Sequence, residues 1–308
     1  IRNKKIYFND KEIVRKFKIN KNNFNKKNET LKFNAEILKK TLGNKKNYLF
    51  NGVSINSKKI KNRNLFIALK GRKKDGHDFL KEAKVNGASY CVISKKLKKS
   101  SKFIKVKNTM FFMNELAKNI RDNSSAKFIG VTGSSGKTTL KTMVGNVLKK
   151  YSKTYFSPHS YNNQYGVPIS ICNMNFKDDF GVFEVGMSKK GEIHKLSSLL
   201  RPDIAIITNV AEAHLENFRN INGIAKAKAE IIYNIKKGGT VILNKDDKFF
   251  DFFKKIAEKN KIKILSYGYS KEADVFYLGH KKKGSGYKLK ISVNKKIIFL
   301  NIINNKKI

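Results

Sequence analysis

An apolar run, a glycine-rich loop and a Gly-Lys-Thr triplet follow one another between residues 128 and 139, and few folds accommodate that order. Phe128, Ile129 and Val131 read as a buried strand, and the chain then continues Gly130-Val131-Thr132-Gly133-Ser134-Ser135-Gly136-Lys137-Thr138-Thr139. Leu140, Met143, Val144, Val147 and Leu148 come next, spaced to share one face of a helix. A strand–loop–helix of this kind suits phosphate. Glycines let the backbone approach closely, and the helix start offers unpaired N–H groups and positive potential. Lys137 can reach the β- and γ-phosphates, and the Thr138 hydroxyl can bind Mg²⁺. Gly133, Ser134, Ser135, Gly136, Lys137, Thr138 and Thr139 are therefore expected to hold a nucleotide. The common form of the loop has glycine five residues before Gly136; here Val131 stands there, with glycines at 130 and 133. The plainer reading, a Gly/Ser turn between strand and helix, does not account for Gly-Lys-Thr at the helix start.

Around this loop the chain alternates strands and helices. Strands are expected at Lys127–Val131, Gly181–Val185, Ile204–Asn209, Thr240–Leu243 and Lys263–Ser266, with helices at Lys137–Lys150, Ile193–Leu200, Ile224–Ile235 and Lys248–Glu258. The strands are continuously apolar, as in a parallel sheet covered on both faces. Short alternating strands follow at Val275–Leu278, Lys288–Val293 and Ile297–Ile303. Before the loop, a helix from about Asn34 to Gly43, strands at Tyr48–Ile55, Leu65–Leu69, Ser89–Ile93 and Phe103–Val106, and a helix at His77–Asn86 form a smaller α/β unit. Residues 1–33, crowded with Lys and Asn, read as a tail and solvated linker. The expected division is 1–33, a small domain over 34–107, and a doubly wound, mostly parallel domain over 108–308.

The chain carries 67 basic and 23 acidic residues, a formal charge of +44. Clustered positive charge would point to nucleic acid, but here lysine is spread along the whole chain, only seven residues are arginine, and no nucleic-acid-binding signature accompanies them. Codon bias explains the Lys, Asn, Ile and Phe excess more simply. Cys91 and Cys172 lack metal-type spacing and read as buried fillers. No run is long and apolar enough to span a membrane, and residues 1–25 lack the apolar centre of a signal peptide.

The variant Thr132-Gly133-Ser134-Ser135-Gly136-Lys137-Thr138-Thr139 resembles the phosphate loop of the Mur ligases, and further segments follow in family order. These are Ser160-Tyr161-Asn162-Asn163-Gln164-Tyr165-Gly166-Val167-Pro168, Glu184-Val185-Gly186-Met187-Ser188, Arg201-Pro202-Asp203, Ile207-Thr208-Asn209-Val210, Ala213-His214-Leu215-Glu216, Ala225-Lys226-Ala227-Lys228-Ala229-Glu230 and Asn244-Lys245-Asp246-Asp247. The segment from Glu184 is similar to the D-alanyl-D-alanine-adding branch. In the small domain, Gly52-Val53-Ser54-Ile55-Asn56-Ser57-Lys58 is similar to the family's uridine-nucleotide-binding segment. The family commonly has Asp-Ser-Arg where Asn56-Ser57-Lys58 stands, and lysine does not reproduce arginine's planar fork.

The resemblance implies an ATP- and Mg²⁺-dependent ligase of the cytoplasm, acting as a monomer. It would join UDP-N-acetylmuramoyl-tripeptide to D-alanyl-D-alanine through an acyl phosphate. It implies Thr138, Glu184, His214 and Lys228 at metal sites, with Lys228, fourteen residues after His214, carbamylated. It implies Lys137, Lys228, His214 and Asn163 in catalysis, Asn244 at the adenine, and Ser57, Asn162 and Asn163 at substrate. Another Mur-type ligase, a folylpolyglutamate synthase relative, and a basic nucleic-acid-binding protein with a degenerate nucleotide fold remain alternatives. Residues 1–17 resemble the tail of the preceding ligase of the pathway, which would make the chain part of a fused polypeptide or give it a plain extension. No counterpart of the family's third, Rossmann-like domain follows, so the chain alone is expected to bind nucleotide weakly and to ligate little or nothing.

Overall fold

The computed structural model describes residues 4–7, 26–71, 73–98, 100–212, 215–218, 220–284 and 286–304. In chain order, strand β1 (Lys4–Tyr7) and helix α1 (Lys26–Leu42) precede a small all-parallel sheet. That sheet holds β2 (Gly52–Ser54), β3 (Asn64–Ile67), β4 (Ala88–Ile93) and β5 (Phe103–Lys105) side by side, with α2 (Leu80–Val85) crossing from β3 to β4. Helix α3 (Thr109–Asp122) leads into the large sheet, whose elements are β6 (Lys127–Thr132), α4 (Lys137–Leu148), β7 (Thr154–Phe156), α5 (Gly166–Cys172), β8 (Phe180–Glu184), α6 (Glu192–Leu200), β9 (Ile204–Ile207), α7 (Ile221–Ala229), β10 (Thr240–Asn244), α8 (Phe250–Lys259) and β11 (Lys263–Gly268). Three long strands complete it: β12 (Val275–Lys283), β13 (Gly286–Val293) and β14 (Lys296–Asn304).

Across the large sheet the strand order is β1-β14-β13-β12-β11-β10-β9-β6-β8-β7. From β7 to β12 neighbours run parallel; from β12 to β1 they run antiparallel. This is the mixed, mostly parallel α/β architecture that the alternating pattern implies. Strand β6 lies between β8 and β9, so successive connections leave it in opposite directions. Such a switch opens a crevice at the carboxyl ends of the strands. One apolar core joins the two sheets, running from Ile37, Leu38 and Leu65 through Met113 and Leu116 of α3 to Phe183 and Leu243. Asn173, just after α5, adds a polar clamp. Its amide donates to the Val53 carbonyl at 2.8 Å and accepts from the Val53 N–H at 2.9 Å, so β2 is tied to the large domain.

The linker reading fails in two places. Helix α1 starts at Lys26, because Leu31, Asn34, Ala35 and Leu38 form a buried stripe at helical spacing. Phe33 stacks on Phe176 at 4.8 Å, and Glu29 pairs with Lys177. Lys4–Tyr7 also pairs, antiparallel to β14, where an edge strand otherwise leaves its N–H and C=O groups unmatched.

Several boundaries also shift. The strand expected over Tyr48–Ile55 is confined to Gly52–Ser54, and the helix expected over His77–Asn86 opens as a 3₁₀ turn, Gly76–Phe79. The one expected over Ile224–Ile235 divides into α7 and a 3₁₀ turn at Ile232–Asn234. Met143, expected on the packed face of α4, is exposed; Lys141 and Gly145 occupy the buried positions instead. Both cysteines are buried and free, as expected of apolar fillers.

Candidate nucleotide site

The loop 133–136 leaves β6 at the switch point and enters α4. Gly133 has φ +145°, and a Cβ there would sit 1.8 Å from Thr208 Oγ1, so no other residue fits without moving the strand end. Gly136, at φ +77°, caps α4 from the left-handed region without a side chain in the way. The end of β9 fastens this loop. The Ser134 N–H donates to the Asn209 carbonyl at 3.0 Å, and the Ser135 N–H donates to Asn209 Oδ1 at 3.0 Å. The Thr208 hydroxyl donates to the Ser135 carbonyl at 2.7 Å, and Ser134 Oγ donates to the Ala211 carbonyl at 2.8 Å. The loop's shape is thus fixed by side chains of the neighbouring strand end.

The Lys137 ammonium folds back over the loop, donating to the carbonyls of Gly133 at 2.8 Å and Ser134 at 3.1 Å. Burial lowers its pKa, and the Glu184 charge pushes it back up. Glu184 ends β8 with 1% of its surface exposed. Its carboxylate accepts from Thr138 Oγ1 at 2.7 Å and from the Asn162 amide at 2.8 Å. The buried Lys141 ammonium stands 4.0 Å away. Hydroxyl, amide and ammonium groups thus surround the buried carboxylate, as a buried polar group requires.

Thr138 and Glu184 form a pair of hard oxygen donors at the helix start, and that chemistry fits Mg²⁺, which takes its other ligands from phosphate and water. Among the described residues no group of three or more His, Cys, Asp or Glu side chains could hold a metal. His214 lies outside the described residues.

Lys228 sits on α7 with 3% of its surface exposed. Among the described residues no hydrogen bond or ion pair satisfies its ammonium. Burial, with the charge of Lys137 adding to it, brings its pKa down to about 7. Lys226, two residues earlier on the same helix, is exposed and faces away.

The other expected residues divide. Asn162 reaches Glu184 directly, whereas Asn163 Oδ1 accepts the N–H groups of Tyr165 at 3.1 Å and Gly166 at 3.0 Å, which closes the turn into α5. Ser57 is buried in the small domain and donates to Glu82 Oε2 at 2.5 Å. Asn244, at the end of β10, accepts from the Asp246 N–H at 3.0 Å. Thr139 is exposed at the start of α4. Three contributors had no assigned role in the sequence: Thr208, Asn209 and Lys141. Lys141 lies four residues after Lys137, the spacing that puts two side chains on one helix face. Asp246 and Asp247 are also structural: Asp247 accepts the Val210 N–H at 2.9 Å, and Asp246 accepts those of Tyr269 and Ser270 at 2.6 and 3.0 Å. Between the domains opens a cleft of ≈ 640 Å³, walled by Ser54, Asn56, Lys59 and Lys61 on one side and Pro158, His159 and Tyr161 on the other.

Residues 131–304 match the Mur ligase middle domain, and residues 49–132 match the catalytic domain of the Mur ligase family. The UDP-N-acetylmuramoyl-tripeptide--D-alanyl-D-alanine ligase of Rickettsia prowazekii is 36% identical over 82% of this chain and 57% of its own length. The crystal structure of MurF from Acinetobacter baumannii superposes with a TM-score of 0.75 at 25% identity, over 87% of this chain and 60% of that one. The MurF ligase of Thermotoga maritima in complex with ADP gives 0.71 at 30% identity, over 83% and 59%. The chain spans about half the length of the curated relatives it matches.

The lowered pKa of Lys228 carries a pH signature. In the unfolded chain the amine keeps its proton up to about the ordinary lysine value of 10.5; in the folded chain it loses it near 7. The cost of burying the charge is then fully present below pH 7 and relieved as pH rises toward 10.5. Lys228→Met, in CO₂-free buffer, is expected to raise the melting temperature most at about pH 6, with the gain shrinking as the pH is raised. A difference in melting temperature that does not vary with pH would contradict it.

Proposed function

The chain belongs to the Mur ligase family, and we propose that it is the nucleotide-handling part of a ligase that joins D-alanyl-D-alanine to UDP-N-acetylmuramoyl-tripeptide at the expense of ATP. The observation that carries the reading is the convergence of three strand ends on one point. The loop and helix start that follow β6 are reached by hydrogen bonds from both sides: the buried Glu184 of β8 holds Thr138, and Thr208 and Asn209, just after β9, hold Ser135. Phosphoryl transfer to a carboxylate needs the donor positioned and its charge neutralised more than it needs covalent chemistry from the protein.

In this reading the N–H groups of the first turn of α4, which have no intrahelical acceptors, receive the β- and γ-phosphates. Lys137 exchanges its loop carbonyls for phosphate oxygens. Gly133, Ser134, Ser135 and Gly136 shape the cradle, with Thr139 at its mouth and Asn244 toward the base. Thr138 and Glu184 would hold Mg²⁺, whose chemistry here is to neutralise phosphate charge. Asn162 orients Glu184, and Asn163 holds the turn that presents Asn162. The inter-domain cleft takes the uridine-linked substrate, with Lys59 and Lys61 suited to its diphosphate. Ser57 supports that wall through Glu82 and Asn86. The division into a uridine-binding unit over 34–107 and an ATP-binding unit over 108–308, the cytoplasmic location and the monomeric state belong to the same proposal.

Lys228 is read as the carbamylated lysine, and its surroundings support that. Carbamylation needs a neutral amine, which adds to the carbon of CO₂ and releases one proton to leave an N-carboxylate anion. Burial supplies the neutral amine near pH 7, and the neighbouring Lys137 favours the anion that results. That anion would give a second metal an oxygen ligand, together with His214.

In a ligase completed with the remaining portion found in its relatives, phosphate release from Mg-ATP in the presence of the UDP-linked tripeptide should depend on D-alanyl-D-alanine. It should not respond to L-lysine, diaminopimelate or glutamate; release driven equally by one of these would overturn the substrate assignment. Incubation of the chain with ¹³C-bicarbonate should give a carbamate resonance that Lys228→Met lacks. A resonance that survives that substitution would place the modification elsewhere.

A further inference from the structure

Lys141 is a buried cation that nucleotide binding, as just described, does not use. It lies one helical turn beyond Lys137 with 1% of its surface exposed, and burying an ammonium is costly unless it is fully engaged. Two groups engage it. Its Nζ donates to the His159 carbonyl and stands 4.0 Å from Glu184 Oε2. The first contact belongs to the wall of the inter-domain cleft, the second to the carboxylate beside the phosphate loop.

The turn that Lys141 holds is strained. His159 has φ +45°, in the left-handed region that non-glycine residues rarely adopt. The turn is closed by the Tyr161 N–H donating to the Pro158 carbonyl at 3.3 Å, and both Pro158 and His159 face the cleft. Ser160 continues it toward the phosphate loop, its Oγ 3.3 Å from Thr138 Oγ1. The same short segment therefore touches the cleft on one side and the Thr138–Glu184 pair on the other. The buried ammonium joins its middle to Glu184.

We propose that Lys141 is a positioning residue that couples the two sites, so that a uridine ligand pressing on the 158–160 turn fixes Glu184 and tightens Mg-nucleotide binding. The coupling rests on the reading of the cleft as the uridine-ligand site. Without the ammonium the turn keeps only the Ser160–Thr138 contact to α4, and Glu184 loses its nearest cation while keeping its hydrogen bonds from Thr138 and Asn162. Each site would still form, but the one would no longer report the occupancy of the other. Coupling is reciprocal, so the nucleotide should tighten the uridine ligand by the same factor.

The test is calorimetry at physiological salt on the chain itself, measuring the Kd of Mg-ATP with and without saturating UDP. The unaltered chain should bind Mg-ATP about fivefold or more tightly with UDP present. Lys141→Met should bring that ratio to within about twofold of unity, and Lys141→Arg, which keeps the charge and the donor, should restore most of it. If Lys141→Met does not fold, Lys141→Gln, which keeps a donor without the charge, serves in its place. Loss of stability alone would not remove the ratio while leaving both ligands bound. Mg-ATP and UDP binding with an unchanged ratio in the substituted chain would overturn the coupling and leave the proposed function standing. Failure of the unaltered chain to bind either ligand would overturn both.

Discussion

A carboxylate buried at the end of a central parallel strand must be matched on every side, and much of this molecule is arranged around that need. Glu184 is almost wholly enclosed. Left alone, a charge enclosed there would destabilise the fold by several kcal/mol, on the order of the penalty for an unpaired buried ion. The chain answers with a hydroxyl from the first turn of α4, an amide from the segment before α5 and an ammonium from the buried face of α4. These three come from different elements, so holding Glu184 also fixes how α4 and the segment from Ser157 to Asn163 sit against β8. A metal ion bound there would replace part of this set rather than require a new site.

The same economy governs the loop in front of it. A phosphate site at a helix start needs the N–H groups of the first turn of α4 free, so the shape of the loop before it must be held through Ser134 and Ser135. Thr208 and Asn209 do this from β9, using their side chains and one carbonyl, while Asp247 holds the Val210 N–H that follows. The close pass of Gly133 over Thr208 is the geometric condition for that fastening. Order β9-β6-β8 brings the two supporting strands to either side of the loop. The crevice of the doubly wound sheet and the polar stapling are thus two aspects of one arrangement.

Much of this was legible in the residues themselves. Continuous apolar runs gave the parallel strands, and glycines beside Gly-Lys-Thr marked the loop, because both signals are local. What was not legible depended on distant partners. Nothing near Lys141 in the chain shows that Glu184 and the His159 carbonyl will meet its ammonium, and among sixty lysines a buried one has no compositional mark. Nothing near Asn163 distinguishes an amide that closes a turn from one that faces a ligand; the N–H groups of Tyr165 and Gly166 that its oxygen accepts decide it. The error at residues 26–33 was of another kind. Leu31, Asn34, Ala35 and Leu38 do carry helical spacing, but the dense Lys and Asn around them masked it.

Calorimetric titration of the chain with Mg-ATP at physiological salt, alongside Lys137→Ala, tests the nucleotide site most directly. Salt matters because a chain of formal charge +44 attracts any anion in dilute buffer. Saturable binding that requires Mg²⁺ and disappears in Lys137→Ala is the predicted result. Equal binding by both proteins, or binding indifferent to Mg²⁺, would contradict the assignment of this loop and of Glu184 to a metal–nucleotide site.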